Sequence, residues 1–115
     1  MEKDKLYLKH ILTAIDDIET YISRTDFENF SKNKLLQDGV MRKLEIIGEA
    51  SKRLSDDFRN STSEIPWKDI CGMRDKLIHD YIGVDIMAVW KTAIEDTKIL
   101  KQKIGEATDL NYPVG

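Results

Sequence analysis

Cysteine is almost absent from this chain: Cys71 stands alone, so no intramolecular disulfide can form, and a reducing compartment, the cytoplasm, is the expected home. Cys71 itself reads as a small buried thiol. Histidine is nearly as scarce. His10 and His79 lie far apart, and no Cys or His pair has the spacing of a zinc site, so neither a metal nor any other cofactor is expected. Long apolar runs are also missing. The segment after Met1 is broken by Lys9, His10, Asp16 and Asp17, which fits neither a secretory signal nor a membrane span. Nor does positive charge prevail: 18 Lys and Arg face 21 Asp and Glu, a formal net charge of -3. A sequence-indifferent nucleic-acid binder normally carries a basic excess, so any RNA site here must be local. There is no internal repeat and no low-complexity tract.

What is present is amphipathic helix. With 115 residues, 41% hydrophobic and 34% charged, the chain suits one domain of helices that are apolar on one face and charged on the other. Leu8, Ile11, Ile15, Ile18 and Ile22 recur at steps of three and four and predict a first helix from about Asp4 to Arg24. Thr25 to Asn33, holding Phe27 and Phe30, is a connection with room for a short extra helix. Leu36, Val40, Leu44, Ile47, Ser51, Leu54 and Phe58 extend the same spacing and predict one long second helix from about Asn33 to Asn60. Gly48, costly inside a helix by about 1 kcal/mol, suggests close approach of another backbone. Arg42, Glu45, Glu49 and Arg53 form a second stripe, open to two readings: a salt-bridged exposed face or a wall beside an active site. After the polar break 60–64, Pro66 opens a third helix to about Tyr81, with Ile70, Met73, Leu77 and Tyr81 on its core face. Gly83 stops it, Asp85 caps a fourth, and Ile86, Trp90, Ala93, Thr97, Leu100 and Ile104 form that helix's seam as far as Gly105. The expected architecture is all-α, an antiparallel four-helix bundle over residues 1–105, followed by a C-terminal tail at 106–115.

Chemistry concentrates in Arg74-Asp75-Lys76-Leu77-Ile78-His79-Asp80-Tyr81, where an arginine, a histidine and a tyrosine fall within eight residues. A guanidinium, an imidazole and a phenol suit a phosphate group, although charged residues on a helix also make an ordinary solvated face. His79 can exchange a proton near neutral pH, as a general acid or base. Arg74 offers a planar fork of donors for charge growing on phosphate oxygens. Asp75, one turn before His79, either orients the imidazole and favours its charged form or is an ordinary intrahelical pair or free carboxylate. Tyr81, on the core side of the helix, reads from its position alone as a packing residue.

Together, Ile46-Ile47-Gly48-Glu49-Ala50 on the second helix and Trp67-Lys68-Asp69-Ile70-Cys71-Gly72-Met73-Arg74-Asp75-Lys76-Leu77-Ile78-His79-Asp80-Tyr81 on the third closely resemble the HepT-like family of HEPN-domain ribonuclease toxins. The match spans nearly the whole chain. Arg74, His79 and Tyr81 meet the family's pattern of arginine, four residues, histidine, one residue, tyrosine, and Asp75 fills the polar position after the arginine. The resemblance implies a HEPN-like helical homodimer with both motifs facing one cleft, and cleavage of RNA without a metal. It also implies RNA contact by Arg74 and Tyr81, and neutralisation by a cognate minimal nucleotidyltransferase antitoxin that transfers AMP to Tyr81. A groove flanked by Ile78 and Ile82, half open in one bundle, agrees with two-fold pairing. Two rivals use the same helices differently: a non-catalytic nucleotide- or substrate-binding subunit of a nucleotidyltransferase, which needs Arg74 but not His79, and a purely structural dimerisation bundle, which needs neither.

Overall fold

Asp4, close to the start of the chain, is buried, and the structure is most easily followed from the helix that carries it. The computed structural model describes residues 2–79 and 85–108, without the side chains of residues 74 and 76–79. Helix α1, Glu2–Ile22, buries Leu8, Ile11, Leu12, Ala14, Ile15 and Ile18 along one face, as its spacing predicts. Asp26 then caps the five-residue α2, Phe27–Ser31, by accepting from the Asn29 amide at 2.9 Å. This is the short helix for which the first connection has room. It drives Phe30 fully into the core, where Gln37 Nε2 donates to the Phe30 carbonyl at 2.8 Å.

Asn33 caps α3, Lys34–Lys52, which runs antiparallel to α1. Asp17 meets Lys43 at 2.9 Å, the Tyr21 ring lies against Gly39, and Tyr7 lies under Arg53, so contacts descend one helix as they climb the other. Gly48 is buried on this helix. The single helix expected to reach Asn60 is corrected here: α3 ends at Lys52, and a separate α4 spans Asp56–Ser61. The reason is Ser55, whose amide and hydroxyl both donate to the Asp4 carboxylate at 2.7 Å, while its oxygen accepts from the Phe58 amide at 3.1 Å. A residue holding extended backbone and capping forward cannot also continue the helix behind it. Leu54 and Phe58 remain buried across the break, so the apolar rhythm survives where the helix does not.

Helix α5, Trp67–His79, follows the turn at Pro66. Asp85 caps α6, Ile86–Lys91, which passes through a π-helical turn at Thr92–Asp96 into α7, Thr97–Ala107. The fourth predicted helix is thus continuous but locally widened, and Gly105 lies inside it. Thr97 Oγ1 bonds back to the Ala93 carbonyl at 2.8 Å within that wide turn, a competition with the helix's own ladder that the seam spacing does not reveal. Val89, Ala93, Thr97, Leu100 and Ile104 are buried, and the Trp90 ring sits 5.1 Å from Phe30. Lys101 reaches Glu19 at 3.0 Å and joins α7 to α1. The fold is all-α, with four long helical segments forming the bundle and α2 and α4 as short inserts. No helix among the described residues is long and apolar enough to cross a membrane. The predicted stop at Gly83 and residues 109–115 of the tail lie outside the described residues.

Removing the Ser55 hydroxyl takes away one of the two hydrogen bonds to the buried Asp4 carboxylate and the cap on the Phe58 amide, while the backbone amide bond to Asp4 stays. Ser55→Ala is expected to lower stability by about 2 kcal/mol, read as a lower midpoint in urea with unchanged helix content at neutral pH. Burial pushes the Asp4 carboxyl up, but the two Ser55 bonds, helped by the nearby terminal amine and Lys3, hold it net below its ordinary 3.8. A carboxyl that binds its proton more weakly when folded contributes fully above its unfolded pKa and loses that contribution as pH falls below it. The gap between wild type and Ser55→Ala should therefore narrow in melts taken near about pH 3.

Candidate active site

The helix that carries the motif is anchored at its first residue. Trp67 is buried against Phe58, and its Nε1 donates to Thr62 Oγ1 at 2.9 Å, which in turn donates to the Phe58 carbonyl at 2.8 Å. Lys103 Nζ, from α7, donates to the Glu64 carbonyl at 3.1 Å and ties down the preceding turn. From this anchor, Ile70 packs into the core and Met73 is half-buried, as their spacing predicts. Cys71 is half-buried rather than fully buried, and Arg59 of α4 reaches it from the open side, Nη1 to Sγ at 3.9 Å.

Arg74 and His79 both lie on the α5 backbone, and His79 is its last residue. Five steps along the helix separate them by about 7.5 Å along the axis and about 140° around it. Their side chains, those of Leu77 and Ile78, and all of Tyr81 and Ile82 lie outside the described residues. The Asp75 side chain is among the described residues. Its carboxylate faces Lys52, the last residue of α3, with Nζ at 3.4 and 3.2 Å from the two oxygens. Both groups are substantially exposed, so the pair contributes at most about 1 kcal/mol. Its effect is positional: it joins the end of α3 to the position beside Arg74.

A cavity of about 940 Å³ opens on another side of α5, towards α6 and α7. Ile47, Ile70 and Leu100 line it with apolar surface and Lys68, Asp69 and Lys103 with charge; Gly72 and Met73, just before Arg74, also border it. The charged stripe on α3 resolves into two parts. Arg42 bridges Glu45 at 3.8 Å and Glu49 at 3.5 Å, which is the surface-pair reading. Arg53 instead lies over the Tyr7 ring, 5.9 Å from its centroid, and the His10 ring meets the same tyrosine edge-on at 5.7 Å. No local pattern announces this cluster, because Arg53 is separated from Tyr7 and His10 by more than forty residues of chain. No group of three His, Cys, Asp or Glu among the described residues could hold a metal ion.

Comparison with known proteins fits this architecture. The family model described as "Ribonuclease HepT-like" matches residues 11–107. A protein from Thermococcus cleftensis named "Probable ribonuclease HepT" is 50% identical over 99 residues, covering 86% of this chain and 90% of that protein. One from Caldanaerobacter subterraneus subsp. tengcongensis named "Putative RNase TTE0752" is 41% identical over 106 residues, covering 92% and 95%. A third, from Methanocaldococcus jannaschii and named "Gamma-glutamylcyclotransferase and putative RNase MJ0434", is 46% identical over 105 residues, covering 90% of this chain and 47% of that protein. No solved structure matches the chain significantly. A family match that takes in four helical segments and the whole of α5 leaves one conclusion: the chain belongs to the HepT-like ribonuclease family.

Proposed function

We propose that this protein is a metal-independent endoribonuclease, the toxin of a toxin-antitoxin module, acting as a homodimer and silenced by a minimal nucleotidyltransferase that adds AMP to Tyr81. The observation that carries the reading is the occurrence of Arg74, Asp75 and His79 on one helix of a chain that belongs to a ribonuclease family. In the reaction, His79 takes the proton from a ribose 2′-hydroxyl as that oxygen bonds to phosphorus. The bond from phosphorus to the 5′-oxygen breaks, and that oxygen leaves with a proton delivered by an acid, the second copy's histidine or water. Arg74 balances the charge on the phosphate oxygens while phosphorus is five-coordinate. A cyclic phosphate remains. DNA lacks the 2′-hydroxyl and cannot follow this path.

Purified protein incubated with RNA in chelator should cut it to cyclic-phosphate ends and spare DNA. Arg74→Ala and His79→Ala should each slow cleavage by at least about 100-fold with helicity retained. Retained cleavage in both variants would move the catalytic site elsewhere in the chain, whereas absence of cleavage by the wild-type protein would leave the binding-subunit alternative. In sedimentation the chain should run at twice its 13.3 kDa mass.

AMP transfer joins the Tyr81 phenol oxygen to the α-phosphorus of ATP and releases pyrophosphate. The added phosphodiester is negative and sits in sequence beside Arg74 and His79, where it competes with RNA phosphate for the guanidinium. The net-acidic chain has little spare positive charge to offset it. Co-expression with a nucleotidyltransferase encoded beside it should add the mass of one AMP at Tyr81 and abolish cleavage. An adduct on Tyr7, Tyr21 or Tyr112 instead, or a Tyr81 adduct with full activity, would refute this part of the reading.

A further inference from the structure

The cluster of Tyr7, His10 and Arg53 is not used by the chemistry above. Arg53 is exposed, and among the described residues no carboxylate pairs with it; its contact is the face of Tyr7. Its neighbour Lys52 differs, being held by Asp75. Tyr7 is packed against the core along its body, which fixes the ring, while His10 is exposed beside it. The result is an aromatic ring packed against the core, a guanidinium above it and an imidazole at right angles to it. Arg53 directly follows Lys52, whose side chain touches Asp75, so Arg53 stands at the end of α3 that is tied to the motif helix. Arg42 engages Glu45 and Glu49, the carboxylates on the intervening face of α3, and moderates their repulsion of an approaching phosphate chain.

Single-stranded RNA is held by this combination: cations for the backbone and flat side chains on which unpaired bases stack. Because the chain is acidic overall, its RNA contacts must be concentrated in such a cluster. We propose that Arg53, with Tyr7 and His10, is a substrate-holding site for RNA nucleotides flanking the scissile phosphate, an inference that rests on the ribonuclease reading. Arg53 touches no reacting atom. It raises the occupancy of the cleft and sets how much RNA must extend beyond the cut.

The test uses the full chain and a short, mixed-sequence, fluorescein-labelled single-stranded RNA. In the non-cleaving His79→Ala background, adding Arg53→Ala should weaken binding roughly tenfold, and His10→Ala should weaken it by about threefold. The dependence of log affinity on log salt should become shallower by about one unit for Arg53→Ala. In the active protein, Arg53→Ala should raise KM by a similar factor while kcat changes by less than about twofold. Arg53→Lys keeps the charge but loses the planar guanidinium, and should fall between the two. A merely structural Arg53 would show the opposite: a lower melting temperature with KM and RNA affinity unchanged, which would overturn the proposal while leaving the nuclease reading intact. Absence of any cleavage by the wild-type chain would instead overturn the reading on which it stands.

Discussion

A buried carboxylate has to be satisfied, and much of this fold follows from how Asp4 is. Ser55 supplies two donors at 2.7 Å, and supplying them stops one helix and starts the next. Asp4 is 2% exposed, so no water shell competes for it. The cost of leaving such a group unpaired, of the order of several kcal/mol for a charge, exceeds what one more turn of helix would contribute. That single demand turns the chain at Ser55, sends α4 away from the axis of α3, and sets the position from which α5 begins.

From that point the motif helix is held at two places of different character. Trp67 is a core anchor: a large ring, a satisfied indole N–H, and a hydroxyl relay through Thr62 to the end of α4. Lys52 with Asp75 is a surface tie in high dielectric, weak as a source of stability yet specific in what it aligns. The division is useful for a site. Rigidity is built at the buried end of α5, and in the proposed reading the end bearing Arg74 and His79 is the one that meets substrate.

The charged stripe on α3 shows why sequence patterns stop short of a site. Arg42, Glu45, Glu49 and Arg53 look like one feature when plotted on a helix. In three dimensions Arg42 serves the two glutamates, and Arg53 leaves them for a tyrosine on α1. Helical spacing records which residues share a face of their own helix, but says nothing about which neighbouring helix lies beside that face.

What the sequence determined by itself was what depends on short-range period and residue chemistry. The apolar steps of three and four in α1, the cap at Asp85, the placing of Arg74 and His79 on α5 and the all-α class all follow from local rules, and so does the resemblance carried by Arg74, His79 and Tyr81. Only the tertiary structure decided the break at Ser55, because the apolar rhythm through Leu54 and Phe58 runs on without pause and the cause of the break lies fifty-one residues away at Asp4. The π turn at Thr92–Asp96, the partner of Asp75 and the placing of Arg53 over Tyr7 were decided in the same way. Each is a choice between local and distant partners of similar energy, and such a choice is settled by which helix packs alongside.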